Sequence, residues 1–311
     1  MKAARVSVMS NTALVGMKLA VGLAMGSVSV ISEAIHSGLD LAAALIAFFS
    51  LTTAARPADE RHQYGHGKVE NISGVIEALL IFVAAIWIII EAYKKLVTGG
   101  HVESLGLGMA VMGISALVNI FVSRYLFRVA RAKDSIALKA DAMHLSTDVV
   151  TSLGVLLGLG LMSLTGIQLV DPLVAIAVAA LIIRASWELT RQAFAPLLDI
   201  KLPREEEQGI VDIIRRHQGE YVEFHQLRSR KAGAERHIDL HLVVPRDRHV
   251  VDVHAVCDRI EDEIKLLFPA SHVVIHVEPS DEYGEGARGA GGEPVAGGDR
   301  DEANGNASGK G

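Results

Sequence analysis

The chain has 311 residues, 50% of them hydrophobic, a mean hydropathy of +0.33 and a net charge of −6 from 30 basic and 36 acidic side chains. Such a balance points to a membrane protein carrying a soluble part, and basic residues spread along loops rather than gathered in one patch exclude a nucleic-acid partner. One cysteine, Cys257, excludes an intramolecular disulfide and suits a reducing compartment.

Six apolar segments follow in chain order, each near the roughly 20 residues needed to cross a bilayer. They run from Val6 to Val30, Ile31 to Ala54, Ile72 to Val97, Leu105 to Val129, Ile136 to Leu164 and Val170 to Phe194. The first has no small-residue cleavage site and is long enough to span, so it reads as a retained helix. Small residues recur within the spans, as at Ala24, Gly26 and Ser27 or Gly154, Gly158 and Gly160, where helix backbones can approach. Lys2 and Arg5, then Arg56, Arg61 and Lys68, then Arg124, Arg128, Arg131, Lys133 and Lys139 mark one side of the bilayer. The positive-inside rule makes that side cytosolic, against which only Lys94 and Lys95 stand. An even number of spans then puts both termini in the cytosol, in a multi-pass protein of the cell membrane.

Beyond Asp199 the pattern turns charged. Arg204 to His217 reads as an amphipathic helix, Tyr221 to Arg230 and Glu235 to Val244 as strands, Val250 to Phe268 as a second helix, and His272 to Glu278 as a third strand. The expected architecture is therefore an all-α six-helix transmembrane domain over 1–199, a small α+β domain of order α-β-β-α-β over 200–279, and a disordered Gly- and acid-rich tail over 280–311.

Two segments that otherwise read as spans carry the same ligand pair, His36 with Asp40 and His144 with Asp148. In a helix, positions i and i+4 share one face, so each pair aims an imidazole and a carboxylate at one point. Two such helices facing each other complete a set of two nitrogens and two oxygens that suits zinc. Ionisable groups in a bilayer core cost about 2.5 kcal/mol or more each, which makes a structural polar contact a weaker account than a metal path.

Asp59, His62 and His66 place a carboxylate and two imidazoles in the loop after the second span. Gln63 stands where the HExxH pattern of metalloproteases has its general-base Glu, and neither HExxH nor GxSxG occurs, so no enzyme activity is expected. In the soluble part His237, Asp239 and His241 share one strand face, while Ile238, Leu240 and Leu242 point to the core.

With these residues set out, the chain resembles the cation diffusion facilitator family of divalent metal cation efflux transporters. The resemblance rests on 32–40 (SEAIHSGLD), the loop 57–68 (PADERHQYGHGK) and 140–148 (ADAMHLSTD). It implies six spans, a metallochaperone-like cytosolic domain and a homodimer. It also implies a transport site at His36, Asp40, His144 and Asp148, a peripheral loop site at Asp59, His62 and His66, and a cytosolic site at His225, His241, His254, His276 and Glu278. Some family members carry Asp where this chain has His36, and an imidazole there disfavours manganese. Zinc is thus the expected substrate and regulatory ligand, with no organic cofactor, and manganese, iron, cobalt or cadmium are the alternatives.

Cys257, three positions after His254, is a further ligand or a small buried hydrophobe, and Lys68 and Asp199 form an expected charge pair near cytosolic helix ends. His217, His237, His249 and His272 read as surface residues. Because metal binds only deprotonated ligands and His titrates near pH 6.5, protons are the expected counter-ion. A membrane-bound sensor without transport would have no need of ligand pairs in the bilayer.

Overall fold

The computed structural model describes residues 1–25, 28–98, 106–165, 167 and 169–280. Six long helices come first: α1 (Lys2–Met25), α2 (Val28–Ala54), α3 (Lys68–Thr98), α4 (Gly106–Lys133), α5 (Ile136–Thr165) and α6 (Val170–Phe194). Among the described residues five of them, all but α5, pass as apolar enough over a sufficient length to cross a membrane, and α5 has the length at 30 residues. The Gly- and acid-rich tail lies outside the described residues beyond position 280.

The helices pair α1 with α2, α3 with α6 and α4 with α5, and α5 also lies against α6 and α3. Alanines line the contacts, Ala43, Ala44 and Ala47 on α2, Ala78 and Ala85 on α3, and Ala140 on α5, all fully buried. Small side chains matter here because lipid removes the hydrophobic drive for helices to associate, leaving close packing to hold them. At Gly154 the approach is tightest, since a Cβ there would sit 2.7 Å from Val178 of α6. Outward faces instead carry Val83 and Trp87 of α3, Phe121 of α4 and Trp187 of α6, as lipid contact requires. The first boundary departs from expectation: α1 ends at Met25 rather than Val30, and α2 starts at Val28 rather than Ile31. An apolar run by itself does not mark where one span ends and the next begins.

A short 3-10 helix (Ala195–Leu198) leads into the second part, which runs α7 (Arg204–Arg216), β1 (Glu223–Ala232), β2 (Glu235–Val244), α8 (Val250–Leu267) and β3 (Ser271–Pro279). The sheet has order β1-β2-β3, with β2 antiparallel to β1 and parallel to β3. Ile210, Ile213 and Ile214 of α7 and Val253, Val256, Ile260 and Ile264 of α8 bury against Ile238, Leu240 and Leu242 of β2. That leaves the opposite sheet face to the histidines. Strand β1 begins two residues later than the pattern suggested, because Tyr221 turns into the core and donates its hydroxyl to Ile214 O at 3.2 Å.

The two parts meet at several places among the described residues. Lys68 Nζ lies 2.9 Å from Asp199 Oδ1, and Arg230 Nη1 lies 3.2 Å from the same oxygen. Gly233, at φ +61°, abuts Gly67 in the loop before α3, where a Cβ would fall 2.5 Å from Gly67 O. Its N–H donates to Asn71 Oδ1 at 2.8 Å, so the β1–β2 turn is pinned to the start of α3. On the far side Arg236 bridges Asp134, in the α4–α5 turn, at 2.8 Å and Glu206 of α7 at 2.7 Å.

Candidate metal centres

Helices α2 and α5 each present one turn of ligands. Donor atoms of His36, Asp40 and Asp148 all lie within 4.8 Å of one another. His144 Nε2 lies 3.2 Å from Asp40 Oδ1, which brings the fourth expected ligand to the same cluster. His36 is exposed whereas Asp40 is buried. Asp148 Oδ2 and His144 Nδ1 are buried without a hydrogen-bond partner among the described residues, a costly state for a polar atom and the one expected of a site shaped for a cation. Lys18 of α1, 5% exposed, donates to Ser37 Oγ at 2.8 Å and acts electrostatically on Asp148. Sequence reasoning passed over Lys18, although one lysine in an apolar span was signal enough.

The loop ligands also converge. Asp59 Oδ1 accepts the backbone N–H groups of Arg61 at 2.9 Å and His62 at 2.6 Å, while His62 Nδ1 lies 3.2 Å and His66 Nε2 3.3 Å from the same carboxylate. The backbone N–H of His62 above all holds the Asp59 carboxyl below its ordinary range, so it stays ionised for a cation. The same hydrogen bonds make an Asx-type turn, a structural duty that coexists with ligation.

On the sheet the strand register decides the third cluster. His225, His241 and His276 are direct neighbours across β1, β2 and β3. A bulge between His225 and Arg228, with Gln226 at φ +50°, gives β1 the extra residue that keeps both on the polar face. His241 Nδ1 lies 2.8 Å and His225 Nε2 3.3 Å from the Glu278 carboxylate, and His276 Nε2 stands at 3.8 Å. His241, then His225 and His276, hold the Glu278 carboxyl below its usual range. His254 is not gathered with them. Its side chain is 74% exposed on α8, 3.5 Å from Asp258. Cys257 packs against the core and burial raises its thiol pKa, which favours the small-hydrophobe reading over thiolate ligation.

Two histidines read as surface residues are not. His237 is 7% exposed, stacks on His272 with ring centroids 5.2 Å apart and meets the Tyr64 ring of the loop. Its place on the polar sheet face is as expected, but the loop before α3 covers that end of the sheet. His217 is held between Glu220 at 3.1 Å and Glu263 at 3.0 Å. Glu220 is a neighbour three residues on, but pairing of α7 with α8 brings Glu263, and that contact no local pattern announces.

Long apolar helices with facing imidazole and carboxylate pairs, joined to a small domain whose sheet gathers more such ligands, define a multi-pass membrane protein of the cation-handling class. Residues 4–198 match the cation efflux transmembrane domain, and residues 202–280 match the cytoplasmic domain of cation efflux proteins. The chain belongs to the cation diffusion facilitator family and is a cation efflux transporter. It is 36% identical to the uncharacterized transporter sll1263 of Synechocystis over 88% of each chain. It is 31% identical to the cation-efflux pump FieF of Klebsiella pneumoniae, covering 82% of this chain and 84% of that one. A solved chain of CzrB in its zinc form is 37% identical and covers 27% of this chain and 97% of that one, with a TM-score of 0.26.

Proposed function

We propose that this chain exports zinc from the cytosol in exchange for protons. The observation that carries the proposal is the convergence of His36, Asp40 and Asp148 within 4.8 Å, with His144 3.2 Å from Asp40. Two imidazoles and two carboxylates form a mixed nitrogen and oxygen set, the balance that favours zinc over the oxygen-preferring manganese.

Exchange follows from competition for lone pairs. Zinc takes His36, Asp40, His144 and Asp148 in their deprotonated forms when the site opens to the cytosol. Protons arriving from the opposite side reclaim the imidazoles and carboxylates and release the ion. Asp59, His62 and His66 serve as a peripheral site, and His225, His241 and Glu278, with His276 and His254 added on assembly of two copies, serve as a regulatory site. Those donors suit a resident zinc, which would lower the charge repulsion between ligands and draw protomers together. Residues 1–199 then form the transport unit and 200–279 the metal-binding and dimerisation unit, both termini being cytosolic in the cell membrane.

Flux from proteoliposomes containing the purified chain tests this, with zinc compared against manganese under an imposed pH gradient. Zinc movement that follows the gradient and is lost in Asp148→Ala is the expected result. Manganese flux without zinc would overturn the selectivity, and indifference to the gradient would overturn the coupling.

A further inference from the structure

The described face of α4 that looks away from its packing partners changes character halfway along. Ile114, Leu117, Phe121, Arg124, Arg128 and Arg131 repeat at spacings of three and four, which places them on one stripe. All six are exposed, Phe121 to 70%. At 1.5 Å per residue the apolar half covers about 10 Å and the arginine half about another 10 Å. Such a stripe belongs in hydrocarbon at one end and among headgroups at the other.

The arginine end is also concave. Arg124, Arg128 and Arg131 line a recess of about 670 Å³ with Phe127. Arg131 and Phe127 are shared with a second cleft of about 890 Å³ between the helix ends and the soluble domain, which adds Lys139 of α5 and Arg191 of α6. Two carboxylates reach the second cleft, but both are engaged. Asp134 takes Lys231 at 2.5 Å and Arg236 at 2.8 Å, and Glu188 accepts the Gln192 amide at 2.7 Å. Lys139 donates to Gln192 rather than to an acid. Among the described residues Arg124, Arg128, Arg131 and Arg191 make no ion pair or hydrogen bond through their guanidinium groups.

We propose that this recess binds the phosphodiester headgroup of an anionic phospholipid, with Arg124, Arg128 and Arg131 on the headgroup and the acyl chains along Phe121, Leu117 and Ile114. Guanidinium forks match phosphate oxygens, and the apolar stripe distinguishes a lipid from a free phosphate. A basic excess on the cytosolic side alone explains charge there, but not three unpartnered arginines of one helix around one hollow that continues its apolar stripe.

The test uses the full chain in neutral detergent and the water-soluble lipid dioctanoyl phosphatidylglycerol, with dioctanoyl phosphatidylcholine and inorganic phosphate as the other arms, read by calorimetry. Phosphatidylglycerol binding at least tenfold tighter than either comparator is expected. Arg128→Gln with Arg131→Gln should weaken it by roughly 25-fold, at about fivefold per basic residue near a membrane surface. Arg128→Lys with Arg131→Lys should recover most of the loss, and raised salt should weaken binding in the wild type. Equal affinity for the two lipids, or a glutamine pair that binds as well as wild type, overturns the proposal. Inorganic phosphate binding as tightly as phosphatidylglycerol overturns the lipid assignment. Should the glutamine pair not fold, as judged by its melting without lipid, Arg124→Gln singly carries the same comparison.

Discussion

His237 offers a measurement of how firmly the loop before α3 closes over the sheet. Burial, then the charges of Arg230 and His272, lower its pKa from 6.5 to about 4 against the opposing pull of Asp239 and Asp199. The unfolded chain therefore takes up a proton as pH falls through 6.5, while the folded chain refuses it until about 4. Stability from this group is complete above pH 6.5 and is lost as pH falls toward 4, so acid weakens the fold. A shift of this size corresponds to roughly 3 kcal/mol in full, and to about 2 kcal/mol of it by pH 5. In His237→Phe the ring remains to stack on His272 but has no proton to gain. Hydrogen exchange of the β2 segment in the full-length chain, with chelator present and corrected for intrinsic rates, reads the local opening free energy. Between pH 7.5 and pH 5 the wild type should lose about 2 kcal/mol more than the variant. Equal losses would refute the reasoning and mean that His237 protonates freely in the folded state.

Four other outcomes follow from the same contacts. Lys18→Met should lower the KM for the exported cation by roughly tenfold and slow turnover, since the positive charge of Lys18 acts on Asp148 and opposes cation binding, whereas a merely structural loss would leave KM unchanged. Reversing Lys68 alone should reduce flux, and exchanging Lys68 with Asp199 should restore only part of it, because Arg230 faces the new lysine at position 199; complete rescue in the flux assay would show that Arg230 plays no part. Gly233→Val forces a β-branched residue to φ +61° against Gly67 O and should detach the hairpin from the loop, exposing 57–67 to protease. Leu240→Ala removes a fully buried side chain from the centre of β2 and should cost about 2–5 kcal/mol, measured by the same exchange experiment.

Much of this chain was legible from one residue to the next. Apolar length fixes the spans because a bilayer tolerates no unsatisfied backbone, and the repeated His-x-x-x-Asp spacing fixes which face of α2 and α5 carries ligands. Alternation along β2 separates Leu240 from His241 for the same local reason. What a local pattern cannot carry is the meeting of distant segments. His225, His241 and His276 align only because the β1 bulge and the β2–β3 register put them there, and His254 stays apart because α8 lies elsewhere. His237 is buried by a loop some 170 residues earlier in the chain, contact between α7 and α8 encloses His217, and Arg236 finds Asp134 across the domain boundary. Periodicity is a property of neighbours, whereas burial, pairing and pKa depend on which surfaces close over one another, and tertiary structure alone decides that.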